Sequence, residues 1–509
     1  MASADAADLD GGFVMVRSFG AVLRDHADAR GAEIAIAYPG GTLSWTVLEA
    51  RTAALARRMI AAGVRPDDLV GVALPNGVDH HVASFAAWRA GATPCILPTR
   101  LPEHEFAQIV ELAAPRLIVS DGGAGVGGVI GIAADAGDVS VDPPSDLPPD
   151  LAAAHWKAVT SGGSTGRPKL IVDHAEARFG ERLEGIVALT GMPRGGVMLN
   201  PGPLYHNAPF LFTSLALLAG TRVVGMDRFD AEAALRLIAE ERVEWVCMVP
   251  TMMHRIWSLP DAVKARYDLS ALRTVLHLAA PCPPWLKRAW IDWLGANRIL
   301  ELYAGTEGAA VLITGTEWLA RPGSVGKPAD GALSVRDEQG RPCPPGTVGE
   351  IFFAAEAATR FHYIGAEPRL DGEGWMSLGD LGWIDADGYL FLSDRRTDMI
   401  LRGGANIYPA EVEAALIEHP GIADAVVLGL PCDDLGARVH AIVQLAADLP
   451  AAGIDAFVRA RLAGYKCPES YETTDAPLRD EAGKVRRSAL RDERLAWLAE
   501  GRDFRIARG

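Results

Sequence analysis

Between residues 48 and 303 the chain alternates two textures, and that alternation restricts its fold more than any other feature. Short continuous apolar runs recur at Leu69–Leu74, Gly91–Leu97, Leu117–Ser120, Val197–Asn200, Thr221–Met226, Val243–Val249, Thr274–Leu278 and Ile299–Tyr303. They lack the in-and-out alternation of a half-solvated strand, so they read as strands covered on both faces. Helical stretches lie among them, at Leu48–Ala62 with Gly63 as its stop, Val78–Ala90 and Ala231–Glu241. Strands alternating with helices predict an α/β architecture of βαβ-type, parallel sheets.

From about Gly323 the pattern changes. Turn signals at Asp337–Gly340, Pro344–Gly346, Asp371–Gly374 and Asp385–Gly388 separate short strands such as Glu350–Phe353 and Tyr389–Ser393, which predicts hairpins forming a small β-barrel. A last unit begins near Asp398, with helices at Glu411–Glu418 and Ile454–Leu462 and strands at Ile422–Leu428 and Val439–Leu445. It reads as a compact α+β module of about 110 residues, within the normal range for a domain.

Composition narrows the function class. A length of 509 residues and 49% hydrophobic content fit a large globular protein. A formal charge of −16 argues against a general nucleic-acid binder, which carries a basic footprint. The six cysteines are far apart, with no Cys-x-x-Cys, so neither a disulfide framework nor a structural zinc site is expected and a cytoplasmic location is the default. The acidic N-terminus lacks the basic-then-apolar order of a signal peptide. The most apolar windows, such as Phe210–Gly220, are too short to span a bilayer.

Chemistry concentrates in a few loops. Residues 160–169 pack glycines, hydroxyls, Arg167 and Lys169 directly after an apolar strand, a composition that cradles phosphate oxygens. It is not a Walker A loop, because Lys169 follows Pro168 and precedes Leu170. Clusters at His206-Asn207, Ala279-Ala280-Pro281 and Tyr303 to Glu307 follow strand ends, where open α/β sheets bind ligands. Tyr303 can stack on a base, and Thr306 with Glu307 offers the hard oxygens that Mg²⁺ prefers. Asp380 with Arg395 can accept from and donate to ribose hydroxyls. Gly403-Gly404 permits close approach to a ligand, His206 is a candidate general base, and Lys484 alone reads as a solvated lysine. Neither Gly-x-Ser-x-Gly nor Gly-x-Gly-x-x-Gly is present, which removes serine hydrolases of that type and dinucleotide folds.

The order of these pieces resembles the adenylate-forming superfamily of acyl-CoA synthetases, nonribosomal adenylation domains and luciferases. The resemblance runs from about Phe19 to Leu490 and rests on six separated motifs: the loop at 160–169, Tyr303 to Glu307, Asp380, Asp394-Arg395 with Asp398-Met399-Ile400, residues 403–409, and Gly483-Lys484. It implies a large N-terminal domain (1–396), a hinge at Thr397 and a mobile C-terminal lid (398–509). It implies ATP, Mg²⁺ and coenzyme A as co-substrates, with a small carboxylic acid adenylated first and passed to the CoA thiol second. It assigns Ser161, Gly163, Ser164, Thr165, Gly166 and Lys169 to the phosphates, Glu307 to the metal with Thr306 nearby, and Ala279, Ala280, Pro281 and Tyr303 to adenine. Asp380 and Arg395 fall to ribose, Gly403 and Gly404 to the pantetheine path, and Lys484 to the carboxylate and α-phosphate.

Some positions depart from the family pattern. Gly162, Leu170, Leu278, Ala279 and Ala304 replace commoner residues, and Thr397 stands where Lys or Asp is usual. The runs around 161–171 and 279–290 look like the branch acting on bile-acid, steroid or other polycyclic carboxylates, with His206-Asn207, Met252-Met253 and Leu278-Ala279 as expected pocket walls. Alternatives are an enzyme of one half-reaction only, motivated by Thr397 and the changed glycines, or one that loads a carrier protein. A non-catalytic nucleotide-binding relative would have lost Lys484 or Glu307, and both remain. A homodimer is left open.

Overall fold

A computed structural model describes residues 16–134, 151–162, 168–307, 310–402, 405–432, 434–447, 449, 451–481, 483–502 and 504. Two large sheets dominate. One has seven strands in the spatial order Phe361–Ile364, Pro168–Asp173, Ala158–Gly162, Thr93–Ile96, Leu69–Ala73, Leu117–Ser120 and Gly131–Ala133. The other has eight: Ala310–Thr314, Ile299–Ala304, Thr274–Leu278, Trp245–Met248, Val197–Asn200, Arg222–Gly225, Ile34–Tyr38 and Gly41–Ser44. Their centres are parallel, as the continuous apolar runs predict. Their margins are antiparallel except at Gly131–Ala133, which joins Leu117–Ser120 in parallel, and the run lengths did not reveal this. At Tyr38 to Gly41 the connection holds two residues, too short for a crossover, so the strands must reverse.

Helices Phe19–Arg30, Trp45–Ala61, Val78–Arg89 and Asn207–Leu218 share one core with the facing sides of these sheets. Ser18 and Ser44 cap the first two by accepting from Ala21 and Val47 backbone N–H groups. Phe19 and Trp88 meet edge to face at 4.8 Å, and Trp88 Nε1 donates to the Trp156 carbonyl at 2.5 Å, tying the helix layer to the chain just ahead of the phosphate loop. Helices Ala231–Glu240, Pro250–Trp257 and Pro284–Leu294 cover the outer face of the eight-stranded sheet, and Glu103–Ala113 covers that of the seven-stranded one.

The hairpin region forms an antiparallel sheet of Ser324–Gly326, Leu390–Arg395, Met376–Ile384, Gly349–Phe353 and Leu333–Arg336, with Arg369–Leu370 added to Met376–Ile384. Among the described residues its pairing follows an open path rather than the closed barrel expected. The last unit pairs Ile422–Cys432 with Gly436–Leu445 antiparallel, adds Ser470–Thr473 in parallel, and packs helices Pro409–Ile417, Ala451–Arg459 and Arg487–Ala499 on this sheet. The architecture is thus a large N-terminal domain with a small C-terminal one. No helix among the described residues is long and apolar enough to cross a membrane.

Burial sets an acid limit on this fold. Desolvation lowers the His80, His81 and His206 imidazoles to about 3. Between pH 6.5 and 3 the unfolded chain therefore binds protons that the folded chain refuses, so stability is full above pH 6.5 and falls below it. Each group withdraws up to about 1.4 kcal/mol per pH unit. Calorimetric Tm should hold from pH 8 to 7 and drop steeply from 6.5 to 5.5; a flat profile would contradict the burial of these imidazoles as neutral groups.

Candidate functional site

The carboxyl ends of both sheets and the small C-terminal domain enclose one continuous chamber of about 2670 Å³, enough for a nucleotide and an acid side by side. Its walls include Lys169, His206, Asn207, Leu278–Pro281, Tyr303–Glu307, Asp380 and Lys484. Met252 also lines it, whereas Met253 turns into the outer core, so that expected wall holds for one of the two methionines.

The glycine-rich segment expected to hold phosphates lies between two paired strands. Thr160, Ser161 and Gly162 pair antiparallel with Leu170, Lys169 and Pro168. Gly163, Ser164, Thr165 and Gly166 lie outside the described residues, as do Gly403 and Gly404. Alternation along the strand decides what each residue does. Lys169 faces the chamber, 3.8 Å from Glu307 Oε1 and 3.8 Å from the ring centre of Tyr363. Leu170 points the other way, fully buried against Ile109, Val110 and Val172. Its replacement of the usual glycine therefore adds bulk to the core and not to the nucleotide side.

Tyr363 is the residue that the sequence did not disclose. Its hydroxyl donates to Glu307 Oε1 at 2.6 Å, and burial with the neighbouring carboxylate raises its pKa. It reaches the site because Phe361–Ile364 joins the seven-stranded sheet beside Pro168–Asp173, setting Tyr363 opposite Ile171. No local signal marks a pairing across so much intervening chain. Glu307, fixed by Tyr363 and followed spatially by the half-buried Thr306, presents hard oxygens to the chamber. One carboxylate beside a hydroxyl is a donor set that suits Mg²⁺, a cation that takes one or two carboxylates and completes its shell with phosphates and water.

On the opposite side, Tyr303 OH donates to Asp380 Oδ2 at 2.8 Å, joining the residues expected at adenine and at ribose. Asp380 lies opposite Arg395 in the strand register, so the pair comes from adjacent strands. Ala279 adopts φ +73°, a left-handed conformation that costs a side chain roughly 1–2 kcal/mol and that glycine takes freely. The Ala279-Ala280-Pro281 bend thus keeps the backbone shape of a glycine loop at an energetic cost.

The C-terminal domain inserts a tight turn. Gly483 N–H donates to Asp480 O and Lys484 N–H to an Asp480 carboxylate oxygen, both at 2.9 Å. Gly483 has φ +74°, and a Cβ there would meet Thr251 Oγ1 and Val249 Cγ2 at 3.2 Å. The turn is therefore seated on the end of the strand Trp245–Met248, and the Lys484 ammonium lies near enough to His206 to depress it further after burial. His206 Nε2 has no hydrogen-bond partner among the described residues. Burial, with the Lys484 charge second, lowers the ring to about 3 and so favours its neutral form.

Comparison with known proteins agrees with this geometry. The AMP-binding enzyme family matches residues 23–362 and the AMP-binding enzyme C-terminal domain matches residues 411–484. A feruloyl-CoA synthase from an Amycolatopsis species is 34% identical over 478 residues, covering 90% of this chain and 95% of that protein. A Rhodococcus jostii ligase that forms the CoA thioester of a methyl-dioxo-octahydroindenyl propanoate is 28% identical, covering 89% and 94%. The fold superposes on an o-succinylbenzoate CoA synthetase from Bacillus subtilis in complex with its acyl-adenylate at a TM-score of 0.77, with 24% identity and coverage of 94% and 99%. ATP, Mg²⁺ and CoA are the co-substrates of such ligases. The chain belongs to the AMP-binding enzyme family, and within it to the ATP-dependent, AMP-forming acyl-CoA ligases.

Proposed function

We propose that this ligase adenylates a bulky, apolar carboxylic acid with a cyclic or polycyclic skeleton and transfers the acyl group to CoA. One part of the chamber lining carries the reading: Leu183, Ile186, Leu211, Phe212, Met252 and Trp285 offer more apolar surface than a small polar acid would use. The octahydroindenyl propanoate ligase among the relatives supports a fused-ring acid, while the feruloyl relative supports a single aromatic ring.

In the first step a carboxylate oxygen attacks the α-phosphorus of ATP and pyrophosphate leaves. Two anions must approach, so cations aimed at the reacting oxygens are the main requirement. Lys484 meets it at the carboxylate and α-phosphate. Lys169, Ser161 and Gly163 to Gly166 hold the phosphates. Glu307 and Thr306 would hold Mg²⁺, which when bound neutralises phosphate charge. Ala279, Ala280, Pro281 and Tyr303 frame adenine, Asp380 and Arg395 hold the ribose, and neutral His206 walls the carboxylate without taking a proton. In the second step the CoA thiol, entering past Gly403-Gly404, attacks the acyl carbon and AMP leaves.

Both steps use one chamber, so the lid must move between them. Arg396 donates to Glu350 at 2.8 Å on the large domain, while Asp398 pairs with Arg487 of the lid at 3.1 Å. The anchors change sides across Thr397, which supports a hinge there and domains ending at 396 and starting at 398. Retention of a seated Lys484 favours an enzyme of both half-reactions over one that only consumes a preformed adenylate.

Lys484→Ala should reduce acid-dependent pyrophosphate release by about 10²–10³, the loss typical of one preorganised charge, and leave thioester formation from synthetic acyl-AMP within a few-fold. Intact pyrophosphate release would remove Lys484 from the chemistry. Gly483→Ala should weaken the same step by about tenfold, from left-handed strain of roughly 1–2 kcal/mol, with unchanged CoA capture. Thr397→Pro freezes one dihedral of the hinge, so thioester formation from acyl-AMP should slow on the order of tenfold while pyrophosphate release persists; equal loss in both assays would move the hinge elsewhere.

A further inference from the structure

One charged group in the chamber has no part in either step. Lys157 sits just ahead of the strand Ala158–Gly162, only 3% exposed, and its ammonium donates to Asn207 Oδ1 at 2.5 Å. Asp173 Oδ2 is 3.8 Å away, beyond hydrogen-bond reach. That carboxylate is already held by Arg182, through Nη1 at 3.0 Å and Nη2 at 3.3 Å, and by the Ala175 N–H at 2.9 Å. An ammonium has three donors, and among the described residues Asn207 takes one. Burying an incompletely satisfied cation is costly, and burial pushes Lys157 down to about 8 even though Asp173 favours the charged form.

Position separates this cation from phosphate chemistry. The Asp173 N–H donates to the Lys157 carbonyl at 3.1 Å, while Ser161 lies opposite Lys169 in the same hairpin. Lys157 and Asp173 therefore stand four residues along the strands from the phosphate end, roughly 13 Å at the rise of a β-strand. Lys157, Asp173 and Arg182 all line the chamber, beside the apolar Leu183, Ile186 and Phe212 that form its acyl wall. Lys157, Arg182 and Asp173 sum to one positive charge beside this apolar wall, and the Glu307 carboxylate also favours the charged form of Lys157.

We infer that Lys157, oriented by Asn207 and backed by the Asp173–Arg182 pair, reads an oxygen acceptor on the skeleton of the acid, remote from the reacting carboxylate. A hydroxyl, a ketone or a second carboxylate supplies that acceptor chemistry. The inference rests on the proposed ligase reading and narrows its substrate class from apolar acids to apolar acids bearing one remote oxygen function. Lys157 is thus a specificity-determining residue, distinct from the catalytic Lys484.

The test uses the full-length enzyme with pairs of fused-ring carboxylic acids that share a skeleton and differ only in a remote hydroxyl, ketone or carboxylate. Pyrophosphate release and CoA-thioester formation are measured for the wild type, Lys157→Met and Lys157→Arg. The wild type should favour the oxygenated member by about tenfold or more in kcat/KM, since a site built to hydrogen-bond an oxygen is left unpaired by its absence. Lys157→Met should erase that preference through KM with kcat little changed, and Lys157→Arg should restore part of it. No preference in the wild type, or equal losses for both members in Lys157→Met, overturns the inference while leaving the ligase intact. Absence of pyrophosphate release with every acid overturns the ligase reading and this inference together, a distinguishable pattern.

Discussion

The proposed chemistry turns on one placement: a cation of the small C-terminal domain, Lys484, lines the chamber of the large one. Lys484 acts on His206 across the domains because the turn Asp480 to Lys484 fits closely against Val249 and Thr251, with little room for a side chain at Gly483. A lysine built permanently into the wall would serve adenylation equally well. It would also stay in place when the adenylate must be opened to a thiol. On the proposed mechanism, mounting the charge on a separate domain would let it be withdrawn between the two steps.

That requirement shows in how the domains are joined. The contacts of the turn with the large domain are exposed ion pairs, Glu481 with Arg100 and with Arg228, and Arg486 with Glu105. Such pairs are worth about 0–1 kcal/mol each, so they guide the lid without locking it. Inside the lid the pairs are buried. Glu413 accepts from Arg479 and Arg487, and Arg479 also holds Asp424. Arg479 adjoins the turn and Arg487 opens the last helix, so this network ties the Lys484 turn to the body of its own domain. Removing one member of a buried network is far more disruptive than breaking a surface pair.

The sequence disclosed whatever was local. The parallel strands were legible as apolar runs, and the order of the glycine, tyrosine, aspartate and lysine motifs pointed to one superfamily. What escaped was set by pairing at long range. Tyr363 enters the site only because its strand docks beside Pro168–Asp173, and Lys157 becomes a chamber residue only because Asn207 folds over it. The antiparallel margins of the sheets escaped for a related reason, since an apolar run does not carry its direction. The environment of His206 was not legible either, since a lone histidine after a turn gives no measure of burial, and burial is what lowers its pKa.

The departures from the family pattern separate once faces are known. Leu170 belongs to the core and says nothing about nucleotide affinity. Ala279 lies on the nucleotide side, where it accepts a left-handed backbone to keep the shape of a glycine loop. A methyl group there narrows the loop without redirecting it, because the backbone path is unchanged. Strain at such a position persists only when surrounding structure over-determines it. Here the following Pro281 and the parallel strand Thr274–Leu278 fix the bend from both ends. The unusual residues at 170 and 279 are therefore differences of packing and backbone strain that leave the charges lining the chamber in place, and on the proposed reading selectivity is to be sought on the acyl side, where Lys157 adds a charge that the two steps do not use.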